Sequence, residues 1–201
     1  MREPENIRQV AALPVQYMGF IFYKVSARYV GQDFSVARDW PESVRRVGVF
    51  VNASEGEILR NVERFSLTTV QLHGAESPEL AFSLRQKQLE VLKAFSIAEA
   101  NDIQQTAHYE DCCDYFLFDT KTPLYGGSGK SFDWDVLSGY KGKLPFFLSG
   151  GIGPDDVERL RQFRHPFWAG IDLNSKFEQS SGCKDAAMIS AFINQIRQFN
   201  F

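Results

Sequence analysis

The run Tyr115-Phe116-Leu117-Phe118 is apolar at four successive positions and stops at Asp119, with a glycine-rich stretch, Gly126-Gly127-Ser128-Gly129, a few residues on. A strand covered on one face alternates apolar with polar residues. One that is apolar throughout has to be covered on both faces, the condition of a strand in a parallel sheet with helices packed against it. Asp119 then stands at the C-terminal end of its strand, where a barrel of βα units gathers its chemistry. An aspartate in that place also serves as a helix N-cap or a turn former.

Comparable apolar or β-branched runs recur at about residues 17 to 23, 46 to 52, 68 to 73, 90 to 97, 145 to 149 and 167 to 173, so seven strands are expected. Stretches of helical periodicity lie between them. In Ser54 to Phe65, the residues Ile58, Leu59, Val62 and Phe65 share one face, and Ser54 and Glu57 have capping-box spacing. Pro154 opens a helix just after glycines that permit a tight connection. A last helix runs from about Asp185 to Arg197 with Met188, Ile189, Phe192, Ile193 and Ile196 on its buried stripe, and Pro4 to Leu13 reads as the first helix. Strict alternation favours a parallel α/β architecture, while periodicity leaves the choice between barrel and open sheet undecided.

The 201 residues suit one domain, residues 1–201, and 44% hydrophobic content supplies a sizeable core. A net charge of −3 argues against nucleic acid or an anionic membrane as partner and leaves room for a small anionic ligand held by local groups. Met1 to Asn6 lack the apolar core of a secretion signal, and no apolar stretch is long enough to span a bilayer, so a cytoplasmic protein is expected. Three cysteines give no disulfide framework, the adjacent Cys112 and Cys113 lack metal-ligand spacing, and His73, His108 and His165 are scattered. No catalytic metal is expected. Lys130 and Ser131 follow Gly126 too closely for a nucleotide-binding P-loop.

Taken in order, five stretches carry a resemblance: Gly19 to Tyr23 with Ser26 to Val30; Val47 to Asn52; Val70 to Gly74; Phe118 to Trp134; and Leu148 to Ile152. The set resembles the phosphoribosylanthranilate isomerase family of tryptophan biosynthesis over nearly the whole chain. The resemblance implies a TIM-type (β/α)₈ barrel and an Amadori rearrangement that needs an acid, a base and no cofactor. It implies that Asp119 is the general acid, that Arg28 binds the anthranilate carboxylate, and that the phosphate lies near Gly150, Gly151, Asn174 and Ser175. Gly126 and Gly127 are read as hinges of a cover over the substrate, and His73 either reaches the ligand or bonds within its own loop. The implied partner is N-(5-phosphoribosyl)anthranilate, with a homodimer admitted.

Two departures shape the expectations. The family's first strand ends in Lys-x-Cys-Gly, whose cysteine is the general base, and Met1 to Asn6 align just after that motif. The first strand and its base are therefore expected to be absent from these residues, the strands near residues 17 to 23 and 167 to 173 to have unpaired edges, and the 201-residue chain to be inactive or impaired. The edges would be met by dimerisation, aggregation or the chain termini. Where the family has Asp-Val-Ser-Ser-Gly-Val-Glu, this chain has Asp172 to Glu178 with Lys176 in the glycine position. A phosphosugar-binding protein without catalysis, or another phosphate-binding barrel isomerase, are the alternative readings.

Overall fold

Each expected strand forms, with ends within about two residues of the apolar runs, the usual uncertainty of such boundaries. A computed structural model describes residues 1–36, 40–120 and 133–198. Among these, one sheet holds β1 (Tyr17–Ile21), β2 (Arg45–Phe50), β3 (Thr69–Leu72), β4 (Glu90–Ile97), β5 (Tyr115–Thr120), β6 (Phe146–Leu148) and β7 (Trp168–Ile171). The strands pair in chain order, every one parallel to the next. Parallel neighbours need a crossover, supplied from β2 onward by α2 (Glu55–Phe65), α3 (Pro78–Gln86), the 3₁₀ segments Ala100–Tyr109 and Trp134–Gly139, and α4 (Val157–Gln162), while the β1–β2 connection has no helix among the described residues. Helices α1 (Pro4–Ala11) and α5 (Ala186–Arg197) flank the sheet in sequence. A hairpin of β8 (Glu178–Ser180) and β9 (Cys183–Lys184) follows β7.

Local chemistry sets the helix boundaries. Ser54 Oγ accepts the Glu57 amide at 3.3 Å and Ser66 closes α2 in the left-handed region, while Ser77 Oγ caps α3 ahead of Pro78. The outward side chains of the strands, Phe20, Phe50, Val70, Leu72, Phe116, Phe118 and Phe146, are fully buried with Ile58, Leu84 and Phe192 of the helices. Each such side chain contributes about 1.5 to 3 kcal/mol of transfer free energy. One expectation needs correction. Met188 is 38% exposed and off the buried stripe of α5, which is formed by Ile189, Phe192 and Ile193; its amide is bound to the capping Asp185 carboxylate at the start of the helix.

The inward side chains show how far the sheet curls. Tyr17 of β1 meets Phe147 of β6 edge-on at 5.6 Å, and Phe147 also packs on Tyr115 of β5 at 5.1 Å. Neither β1 nor β7 pairs with a further strand of the sheet among the described residues, so the sheet is a barrel open along one side; the outer edge of β1 is not bare as expected, since Ile21 makes a parallel bridge with Tyr29 and its carbonyl accepts the Val30 amide at 3.0 Å. Hydrogen bonds bridge that side. Asn6 and the Lys184 backbone exchange two hydrogen bonds of 2.7 Å, tying α1 to β9, and the Met1 nitrogen donates to the Gly19 carbonyl of β1 at 3.1 Å.

Candidate active site

The C-terminal ends of the strands surround a cleft of about 980 Å³ that continues down the barrel interior. Arg28, His73, Asp119, Ser149, Gly150, Gly151, Asp172, Asn174, Ser175 and Lys184 all line it. Five stretches far apart in the chain thus deliver Arg28, His73, Asp119, the Gly150–Gly151 pair and Asn174–Ser175 to one mouth. Gly126 and Gly127 lie outside the described residues.

Asp119 is placed by the β4–β5 register, in which it stands opposite Ser96. One of its oxygens accepts the Thr120 amide at 2.8 Å, and the other lies 3.2 Å from His73 Nε2. His73 Nδ1 is 2.8 Å from Gln71 Oε1, so the imidazole donates from Nδ1 and turns Nε2 toward Asp119. Both side chains are partly open to the cleft, at 19% and 17% exposure, so a ligand can reach them.

On the open side, Arg28 Nε donates to both oxygens of Glu178 and Nη2 lies 2.7 Å from one of them. Lys184 Nζ donates to Glu178 at 3.1 Å and to Asn174 Oδ1 at 2.7 Å. Burial pushes the Glu178 carboxyl up, but the Arg28 hydrogen bonds and the Lys184 charge outweigh it and hold the group below its usual range. Burial lowers Lys184 from its ordinary value against the pull of Glu178 and Asp172. Asp172, just after β7, accepts the Ser149 hydroxyl at 2.9 Å, and burial raises its carboxyl despite Lys184 and that bond. The mouth thus carries two carboxylates, Asp119 and Asp172, in unlike surroundings.

Gly150 and Gly151 have φ of +81° and +73°, a left-handed pair that L side chains adopt at a cost. Lys176 is not among the residues with positive φ, so the change from the family's glycine carries no backbone penalty; its aliphatic stem crosses Gly153 and packs the loop after β7 on the loop after β6. The cysteines are elsewhere. Cys112 and Cys113 precede β5, at the opposite end of the barrel, Cys183 lies in β9, and none of the three lines the cleft. Burial pushes the Cys113 thiol up to about 12, the state of a packing residue.

Sequence reasoning gave no role to Gln71, Asp172, Glu178 or Lys184. Gln71 carries a signal in retrospect, since a polar residue inside the short strand β3 points into the barrel two positions before His73.

Comparison with known proteins identifies one family and its fold. Residues 1–195 match the family model described as N-(5′-phosphoribosyl)anthranilate (PRA) isomerase. The N-(5′-phosphoribosyl)anthranilate isomerase of Phocaeicola vulgatus is 50% identical over 198 residues, covering 98% of this chain and 95% of that one. The crystal structure of phosphoribosyl anthranilate isomerase from Thermotoga maritima superposes with a TM-score of 0.84 at 32% identity, over 98% of this chain and 96% of that chain. A phosphoribosyl anthranilate isomerase in complex with reduced 1-(o-carboxyphenylamino)-1-deoxyribulose 5-phosphate gives 0.84 at 28% identity, over 98% and 95%. The curled parallel sheet is thus a TIM-type fold. Among the described residues, no helix is long and apolar enough to cross a membrane.

Proposed function

Since the chain belongs to the N-(5′-phosphoribosyl)anthranilate isomerase family, we propose that its cleft performs the family's Amadori rearrangement with Asp119 as the proton donor, Arg28 at the anthranilate carboxylate and the Gly150–Gly151 and Asn174–Ser175 loops at the phosphate. The observation that carries this reading is the 3.2 Å contact between His73 Nε2 and Asp119 Oδ2 in a cleft open to ligand. Opening the ribose ring requires that a proton reach its ring oxygen as the C1–O bond breaks and the anilino nitrogen forms an iminium. Asp119 gives that proton, and His73 stands beside the carboxylate left behind.

The second half of the reaction removes the proton from C2 to give an enolamine, which becomes the ketone on protonation at C1. None of Cys112, Cys113 and Cys183 lines the cleft, so none of these three takes the part of the family's cysteine base. Arg28 remains suited to its part. Glu178 takes the Nε–Nη2 edge of the guanidinium, which leaves the Nη1–Nη2 edge for a second carboxylate.

The test follows the loss of substrate fluorescence in single-turnover mode for the wild-type chain, Asp119→Asn and Arg28→Met. Asp119→Asn is expected to lower the rate constant at least ~100-fold with little change in substrate affinity, and Arg28→Met to weaken affinity first. An Asp119→Asn rate and pH profile equal to the wild type's would refute the assignment. Tight binding of substrate without turnover in any form of the chain would favour the phosphosugar-binding alternative.

A further inference from the structure

Lysine is a rare occupant of a buried strand, yet Lys93 sits in the middle of β4 with its side chain 3% exposed, paired at 3.3 Å with Glu76, whose side chain is 1% exposed. Neither residue lines the cleft. Lys93 Nζ donates to the carbonyls of Leu72 and Gly74 at 3.2 and 2.6 Å, the residues immediately before and after His73, and also contacts the Ala94 carbonyl at 3.1 Å. The rings of Phe95 and Tyr109 flank the ammonium at 5.5 and 5.7 Å.

Glu76 completes the grip from the other side. Its Oε2 accepts the Gly74 amide at 2.9 Å and its Oε1 accepts the Asn52 amide at 2.8 Å. Asn52, in the left-handed region with φ of 53°, accepts the Ala75 amide at 2.7 Å through Oδ1, and Tyr109 donates its hydroxyl to the Glu76 carbonyl at 2.7 Å. The His73 amide itself bonds the Phe50 carbonyl at 2.8 Å. From residue 72 to residue 76 the backbone is held by β2, β4 and the segment before β5. A buried ion pair is weak evidence of stability, because apolar side chains of similar size often serve as well. What apolar side chains lack is the means to hold two carbonyls at fixed points.

We propose that Lys93 and Glu76 form a positioning clamp for the reaction, fixing the loop after β3 so that the His73 ring meets Asp119. This rests on the reading of the His73–Asp119 pair as the proton-donating group. The clamp touches no substrate and acts through His73. A displacement near 1 Å of a reacting group costs up to about 100-fold in rate, and the Lys93 ammonium constrains the backbone on both sides of the residue in question.

The experiment compares wild type with Lys93→Met, Glu76→Gln and the gentler Asn52→Gly, which keeps the left-handed backbone and loses only the tie to Ala75. Three readouts are taken: the ¹⁵N and ¹H shifts of the three histidine rings, kcat and KM, and the thermal midpoint. The expected result is a shifted His73 ring signal with those of His108 and His165 unmoved, and a kcat ~10- to 100-fold lower with KM within about twofold, graded from Asn52→Gly to Lys93→Met. A His73 signal that stays in place in folded Glu76→Gln and Asn52→Gly overturns the clamp. A displaced His73 signal with unchanged kcat overturns the proposal through its other premise, that His73 serves the reaction. Should Lys93→Met fail to fold, the other two variants still decide the matter.

Discussion

Arg28 Nε reaches both carboxylate oxygens of Glu178, at 3.1 and 2.8 Å, across 150 residues of sequence and across the open side of the barrel. Lys184 shares the same carboxylate, so one anion balances two cations. Glu178→Gln keeps the shape and deletes the charge. Breaking a buried pair in this way costs on the order of 3 kcal/mol, and KM is expected to rise because Arg28 loses the group that aims it. Urea unfolding and steady-state kinetics check both. The pH dependence has a definite sign: the folded state holds the Glu178 carboxyl below its ordinary value, so its contribution is full above about pH 4.3 and is lost as pH falls through the folded value. In Glu178→Gln that acid-side loss should shrink.

Asp172 is expected to behave in the opposite sense. Burial raises its carboxyl, so its contribution is full below about pH 3.9 and is lost as pH rises through the folded value. Asp172→Asn retains an acceptor for the Ser149 hydroxyl and removes the buried charge. Its urea midpoint should exceed wild type at pH 8 and converge with it toward pH 4. A midpoint below wild type at both pH values would mean that the Lys184 charge outweighs the burial.

Gly150 links the loop after β6 to the proposed acid. A Cβ there would collide with the hydroxyl and amide of Thr120 and come within 2.8 Å of Asp119 Oδ1, on a backbone with φ of +81°. Gly31 has a similar φ, +91°, with open space around it. Gly31→Ala is therefore expected to cost about 1 kcal/mol of stability and leave kcat alone. Gly150→Ala should cost about 2 to 3 kcal/mol and lower kcat more than tenfold. Thermal melts and kinetics of the two variants separate backbone strain from displacement of Asp119.

Much of the sheet was legible because a strand buried on both faces has to be largely apolar, which is why Tyr115 to Phe118 stands out and Val91 to Ile97 is recognisable despite Lys93 and Ser96. Asp119 was legible for the same reason, as the acid that ends such a run. Its partner was not, since the approach of His73 depends on the inter-strand register and on a loop held by Lys93 and Glu76. Lys93 was passed over although it is a charge within a largely apolar stretch, and nothing local to Glu76 marks it as the counter-ion. The Arg28–Glu178 bond was hidden by its span, and Met188 was placed on the buried face because helical periodicity gives a stripe without showing where the stripe ends.

The chain-order pairing of the strands bears on how the molecule comes into being. Every ladder joins a strand to its nearest successor, so each pairing closes a comparatively short loop. The bonds that shape the binding cleft follow another schedule, for Arg28–Glu178 and Asn6–Lys184 span 150 and 178 residues. Completing the site thus carries a larger loop-closure cost than pairing the strands, because the last fifth of the sequence has to meet the first.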